Sequence, residues 1–457
     1  LDIENYSIDS DDTPYNVWEQ YYQGIAVCNH AIYAMLEHCP GIAEMSAADV
    51  QAQYPEYAAS WGEAHALRAY LHFVLVNVFA ESYKDDARSS QDMGIPYVTI
   101  PETTVQVDYS TSQFLHNVKE TYDLIEGDLL RAMPLINDAS YKVPAFHFNK
   151  NAAYAFAARF YLFKRDYDKC IYYATQALGN NPTGMMRKWG SMNMNTAYTK
   201  RDSYWSEQNP CNFLLQSTYS LQWRMLATNA RFAINTGTSF SKEGVRYTVP
   251  STLDIALYGS GPTWSGSLPC YSALVYINNE GQQYGCYHMK EIEYFEYTDK
   301  IAGIGYVHML YNPLTAEETL LCRAEAELYM GQRDKALADL QVWNTSKLCT
   351  RYLDLDAIRK FYNRSNKNNQ YVSCLHPAEM GFQKVLSGDD LSVLDCILHF
   401  RRIELLHGGE RWFDIKRYGI SVTHYYRDAN EDEIHIDSLT WDDPRRIIQL
   451  PKNLYKN

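Results

Sequence analysis

The chain has 457 residues, 46% hydrophobic and 21% charged, which is ordinary globular usage and argues against long disorder or a fibrous architecture. Its 41 basic and 55 acidic residues leave a net charge of −14 with no basic run. That disfavours a surface for nucleic acid or anionic lipid, because phosphate recognition rests on clustered Lys and Arg. The aromatic content stands out: 39 Tyr, 16 Phe and 9 Trp. A buried phenol needs a hydrogen-bond partner, so much of that Tyr is expected to pack wet helix faces, reach the surface or line grooves. The most apolar run, Leu67 to Ala80, is interrupted by Arg68, His72 and Asn77, and falls short of the ~18 apolar residues of a spanning helix. The sequence opens Leu1-Asp2-Ile3-Glu4 without Met or a signal-type apolar region, which reads as a chain whose leader has been removed or trimmed.

In chain order, Val17, Tyr21, Ile25, Cys28, Ile32 and Met35 recur at intervals of three and four, predicting an amphipathic helix over 14–38 that stops at Pro40-Gly41. A second helix, about 60–79, is apolar on most of its circumference and should be buried on several sides. A third is expected from the capping box Ser110-x-x-Gln113, through Phe114, Val118, Tyr122, Ile125 and Leu129, to Pro134. Residues 149–182 read as a degenerate tetratricopeptide unit, with small Ala158 and Ala177 where paired helices approach, and Pro182 at the end. A similar unit spans Thr315 to Asn344, with Thr315-x-x-Glu318 as its cap, Ala324 and Ala336 at the crossing, and Gly331 as the break.

Between these units, 183–313 loses helical periodicity and fills with Asn, Ser, Thr, Gly and Tyr. Turn clusters surround Tyr258 to Gly266, and a short alternating run spans Glu291 to Tyr297. Long irregular segments inside a compact fold are usually functional. The expected class is therefore mostly α: tetratricopeptide-like helix pairs form a helical frame carrying a large irregular, loop-rich insertion that is expected to bind the ligand. Its parts are a helical N-terminal region (14–182), the insertion (183–313) and a helical C-terminal region (314–457), read as one unit over 1–457.

The ten Cys show neither CxxC nor a His partner at zinc spacing, so no metal is called. Cys28, Cys39, Cys170 and Cys322 fall on apolar stripes and read as buried thiols; one or two disulfides are left open. No HExxH, GxSxG or GxxxxGK occurs, and no motif selects two of the 55 acids as a glycosidase pair. The chain is expected to bind without cleaving and to use no cofactor. A sugar binder needs flat aromatic faces with amide, acid or Arg groups nearby. The insertion offers Trp205, Trp223, Arg224, Tyr258 and Trp264, and the loop after the second helix offers Tyr83. Trp264, in a Gly/Ser loop with few apolar neighbours, is expected at the surface, with Tyr258 or Trp205 completing a platform.

The segment Ile397–Gly419, with Arg401, Arg402, Glu404, Gly409, Arg411, Trp412, Phe413, Asp414 and Arg417, resembles the C-terminal signature of the SusD/RagB family. These are surface lipoproteins of Bacteroidetes that capture nutrients. Ala64 to Tyr70 followed by Gly94-Ile95-Pro96, the run Arg323 to Tyr329, and Asp443 to Pro451 agree in order. Phe400 departs from the family, which often has an acid before the Arg pair. Physically the segment reads as scaffold: its charges lie at helical spacings where they can pair, with Trp412-Phe413 as an apolar plug. The resemblance implies four tetratricopeptide-like pairs in a right-handed superhelical scaffold that supports the ligand-binding insertion, an outer-membrane location through an N-terminal lipidated Cys, a SusC-like TonB-dependent transporter as partner, and a glycan or peptide ligand. A tetratricopeptide adaptor and an aromatic-rich hydrolase are the competing classes; regular tandem repeats would favour the adaptor, and turnover the hydrolase.

Overall fold

The computed structural model describes residues 13–101, 111, 114–193, 195–220, 222–225, 260–266, 268–270, 275–278, 285–288, 290, 292–366, 369, 371–427 and 433–450, the side chains of 224–225, 275–278, 285–288, 424–427 and 433–436 excepted. Helix α1 (Pro14–His38) starts where Thr13 accepts from the Asn16 N–H at 3.1 Å, with Pro14 preset in the first turn. The short α2 (Ala47–Gln53) leads into α3 (Pro55–Phe79), which is buried on nearly every face, as its unbroken apolar circumference requires. After α4 (Asp86–Ser89), the strands β1 (Met93–Pro96) and β2 (Leu115–Asn117) pair antiparallel, and α5 (Val118–Ala132) follows. The expected start of α5 is corrected. Its capping box is Asn117 with Glu120, and the stretch before it is strand; Ser110 and Gln113 lie outside the described residues.

Both expected helix pairs are present. Helices α6 (Lys150–Lys164) and α7 (Tyr167–Leu178) turn at Arg165, held at φ 64°, with Ala157 and Ala158 fully buried. The insertion then holds α8 (Ala197–Tyr204), β3 (Asn212–Thr218), α9 (Gln222–Met225), a hairpin of β4 (Val275–Asn278) and β5 (Gly285–His288), β6 (Tyr294–Asp299) and β7 (Ile304–Thr315). Strand β7 lies between β3 and β6 in an antiparallel sheet, so a segment expected to be mainly irregular is built partly on strands. The alternation up to Tyr297 is the part of this that the sequence shows.

Strand β7 runs directly into α10 (Ala316–Tyr329), where the Thr315 hydroxyl accepts from the Glu318 N–H at 3.1 Å. Every residue of α10 is buried. Gly331, at φ 75°, reverses the chain into α11 (Arg333–Ser346). Next come α12 (Leu355–Phe361), α13 (Gly388–Glu404), α14 (Glu410–Arg417) and the hairpin of β8 (Val422–Arg427) and β9 (Glu433–Leu439).

A helix as buried as α10 can carry charge only if each charge has a partner. Arg323 forms a two-pronged pair with Asp339 at 2.7 and 2.8 Å, Glu318 pairs with Arg159, and Glu325 accepts from Arg417 at 2.8 Å and Tyr418 at 2.7 Å. Asp414 takes Arg401 at 2.9 Å and Arg417 at 2.7 Å, and these cations hold its carboxyl down to about 2 against the opposing effect of burial. The signature segment is thus scaffold that ties α13 and α14 to α10. The buried Phe400 stacks on Trp343 at 4.0 Å and belongs to the same core. Cys28, Cys39, Cys170 and Cys322 are buried free thiols, and Cys170 Sγ lies 3.6 Å from the Cys322 carbonyl oxygen. Among the described residues no helix is long and apolar enough to cross a membrane.

Candidate functional site

Where the β3–β7 sheet meets the corner between α13 and α14, a cavity of about 200 Å³ opens. Pairing of Gln216 with Tyr311 and of Thr218 with Met309 brings the ends of β3 and β7 to its rim, and the end of α8 adds Tyr204 and Trp205. Tyr219, just beyond β3, is 60% exposed, and its ring lies 5.9 Å from that of Tyr306. The Tyr306 hydroxyl donates to Glu296 at 2.6 Å, so aromatic faces and a carboxylate stand together outside the cavity. Gln222, at the start of α9, donates to the His407 carbonyl oxygen at 2.9 Å and ties that short helix to the corner.

The floor is ionic. Arg159 donates to Glu318 at 2.7 Å, and its Nη2 lies 3.8 Å from Glu410. Tyr311 donates to Glu410 at 3.0 Å, while Oε2 of Glu410 has no partner. Burial pushes the Glu410 carboxyl up to about 7, against the pull of Arg159. Glu404 behaves oppositely: burial raises it, but Lys347 at 2.6 Å outweighs that, and the Trp343 indole also donates to it at 2.8 Å. With Glu318 and Glu404 held in ion pairs and Glu410 bonded to Tyr311, the lining offers hydrogen-bond acceptors and donors between aromatic walls, a chemistry suited to hydroxyl-bearing ligands. Among the described residues no three His, Cys, Asp or Glu side chains gather to hold a metal.

The residues chosen from sequence scatter. Trp205 lines the cavity, 5% exposed and edge-on to Tyr204 at 4.8 Å, with its indole N–H unpartnered. Trp223 is half-buried on α9 beside the lining Gln222; the backbone of Arg224 belongs to the same helix, and its side chain is outside the described set. Tyr258 also lies outside the described residues. Trp264 corrects its expected exposure. It is 8% exposed and packs on Phe400 at 5.9 Å and Trp343 at 6.4 Å, so no surface platform forms on it. Gly261 makes this burial possible, since a Cβ there would fall 2.2 Å from the Trp264 ring. Tyr83 is likewise core, 5% exposed, with its ring 4.9 Å from Tyr122 and its hydroxyl bonded to Asp86. Tyr219, Tyr306 and Tyr311 escaped sequence reading because nothing local separates them from the many other tyrosines.

Residues 2–162 match the family SusD-like_3, described as starch-binding and associating with the outer membrane. Among solved structures, a SusD-like carbohydrate binding protein of Bacteroides vulgatus aligns over 96% of this chain and 79% of its own, with 15% identity and a TM-score of 0.55. A SusD superfamily protein of Bacteroides thetaiotaomicron aligns over 99% and 89%, with 16% identity and a TM-score of 0.54. The chain's fold is SusD-like. A candidate sugar-binding protein of Bacteroides vulgatus shares the SusD-like fold over 98% of this chain and 84% of its own, at 17% identity and a TM-score of 0.58. A search of curated proteins returns no match. In this chain of SusD-like fold the cavity lies against the segment Ile397–Gly419, with Glu404, Leu405, His407, Gly408 and Glu410 on its wall.

Proposed function

We propose that this chain captures carbohydrate at the outer membrane and passes it, uncleaved, to a SusC-like TonB-dependent transporter, held at the membrane by an N-terminal lipid. The observation that carries the reading is the aromatic crevice itself, in a chain of SusD-like fold: Trp205 and Tyr311 in its wall, exposed Tyr219 beside Tyr306 at its mouth, and acid and amide groups between them. Sugar rings present apolar faces that stack on such rings, and their hydroxyls need the polar groups alongside.

The test is calorimetric titration with soluble glucans and other neutral polysaccharides, followed by chromatography of the recovered ligand. Binding is expected without fragments. Failure to bind any polysaccharide, or accumulation of products beyond one per protein, sinks the proposal.

A further inference from the structure

Arg402, in the last turn of α13, and Arg411, in the first turn of α14, are both half-buried. Neither forms a salt bridge among the described residues, and the carboxylates around them are already engaged. Arg364 takes Asp395 with two bonds of 2.6 and 2.8 Å, while Arg401 and Arg417 take Asp414. Arg411 reaches only the Ser373 hydroxyl, at 3.4 Å. Nη2 of Arg402 and Nη1 of Arg411 are sealed from solvent without an acceptor, and so is the indole N–H of the adjacent Trp412.

Other buried guanidiniums that lack a carboxylate here are satisfied by carbonyl oxygens. Arg165 donates to those of Tyr83, Lys84 and Met380, and Arg446 to those of Ile415, Ile420 and Thr440. Arg402 and Arg411 have no such set. Two like charges left this way are costly, since a buried ion lacking its hydrogen bonds forfeits its hydration. Burial, and then the field of Arg411, lower Arg402 to about 9, the direction expected where cations crowd without a counter-charge.

We propose that Arg402 and Arg411 form a binding site for one small oxyanion, whose oxygens accept the guanidinium hydrogens that the protein leaves unpaired. Planar guanidinium forks suit carboxylate, sulfate and phosphate groups alike. The oxyanion is either a free inorganic ion or the carboxylate of an acidic sugar. One site of this size fits a chain whose net charge of −14 repels a polyanion. The site is independent of the carbohydrate crevice, and either can fail without the other.

The experiment uses the full chain, with thermal melts and calorimetric titration against sulfate, glucuronate and glucose at fixed ionic strength. Millimolar sulfate or glucuronate should raise the melting temperature by a few degrees, roughly the shift a site near saturation gives, and glucose should not. The shift should vanish in Arg402→Gln and Arg411→Gln. Arg402→Lys, which keeps the charge and loses the fork, should weaken binding about tenfold, and it decides the matter if the Gln variants do not fold. A response to both anions identifies a free-ion site, and a response to glucuronate alone identifies an acidic-sugar subsite; either upholds the proposal. No heat and no shift with either anion, or equal shifts in the wild type and all three variants, overturns it.

Discussion

Two aromatic residues at the insertion separate packing from recognition. Trp264 sits in a segment with almost no apolar neighbours in sequence, yet Trp343 and Phe400 arrive from distant helices to cover it. Burial there is a tertiary fact that no local window contains. Removing this indole deletes a large core side chain, so Trp264→Ala should cost about 3–5 kcal/mol in urea denaturation. A loss under about 1 kcal/mol would show that the loop does not hold the ring in place. Tyr219 should behave in the opposite way. At 60% exposure its removal should leave the melting temperature nearly unchanged, while polysaccharide affinity falls several-fold, because a stacked ring contributes about 1 kcal/mol. Unchanged affinity in Tyr219→Ala would move the ligand face away from the cavity mouth. Of the residues picked from sequence, Trp205, chosen because its neighbourhood mixes Trp, Tyr, acid and amide, lines the cavity. Tyr219 carried no such signal among 39 tyrosines.

The elements themselves were more legible than the site, because helix periodicity is written locally and cavity walls are not. The stripe from Val17 to Met35 specified α1, and Gly331 marked the reversal between α10 and α11. The start of α5 differs from the expected one since apolar Phe114 continues the helical period, although Leu115–Asn117 just after it pairs as strand and Asn117 supplies the cap. Gly331 sits at φ 75°, where a Cβ is strained, so Gly331→Ala should destabilise by about 1 kcal/mol in chemical denaturation; a neutral effect would mean the turn adapts. Burial along α10 also has a pH consequence at Glu327. Burial first, and Asp339 second, raise its carboxyl from the ordinary 4.5 to about 7. The native state then keeps a proton that the unfolded chain releases, so this contribution is complete below pH 4.5 and is lost as pH rises to about 7. Denaturation midpoints of Glu327→Gln should decline less across that window than those of the parent. Parallel curves would show that Glu327 does not titrate there.

At the scale of the molecule, the core draws on every part of the chain read from sequence. One continuous apolar cluster runs from Trp18 and Ile25 through Phe156 and Leu214 to Leu320, Phe400 and Ile420, drawing on the first helices, the insertion and the last helices alike. Helix α10 is its axis: α6 and α7 pack on it from the N-terminal part, α11 and α13 from the C-terminal part, and β7 enters it without a break. Chains of this size commonly unfold in stages, because separate cores melt separately. A shared core removes that freedom, since losing α6 and α7 would expose the apolar face and the buried charges of α10 at once. We therefore expect a single calorimetric transition with equal calorimetric and van't Hoff enthalpies. Limited proteolysis within the insertion should leave the flanking parts associated. Two resolved transitions, or an N-terminal fragment that stays folded after separation, would show that the helical parts are independent units and that the crevice lies between domains rather than within one.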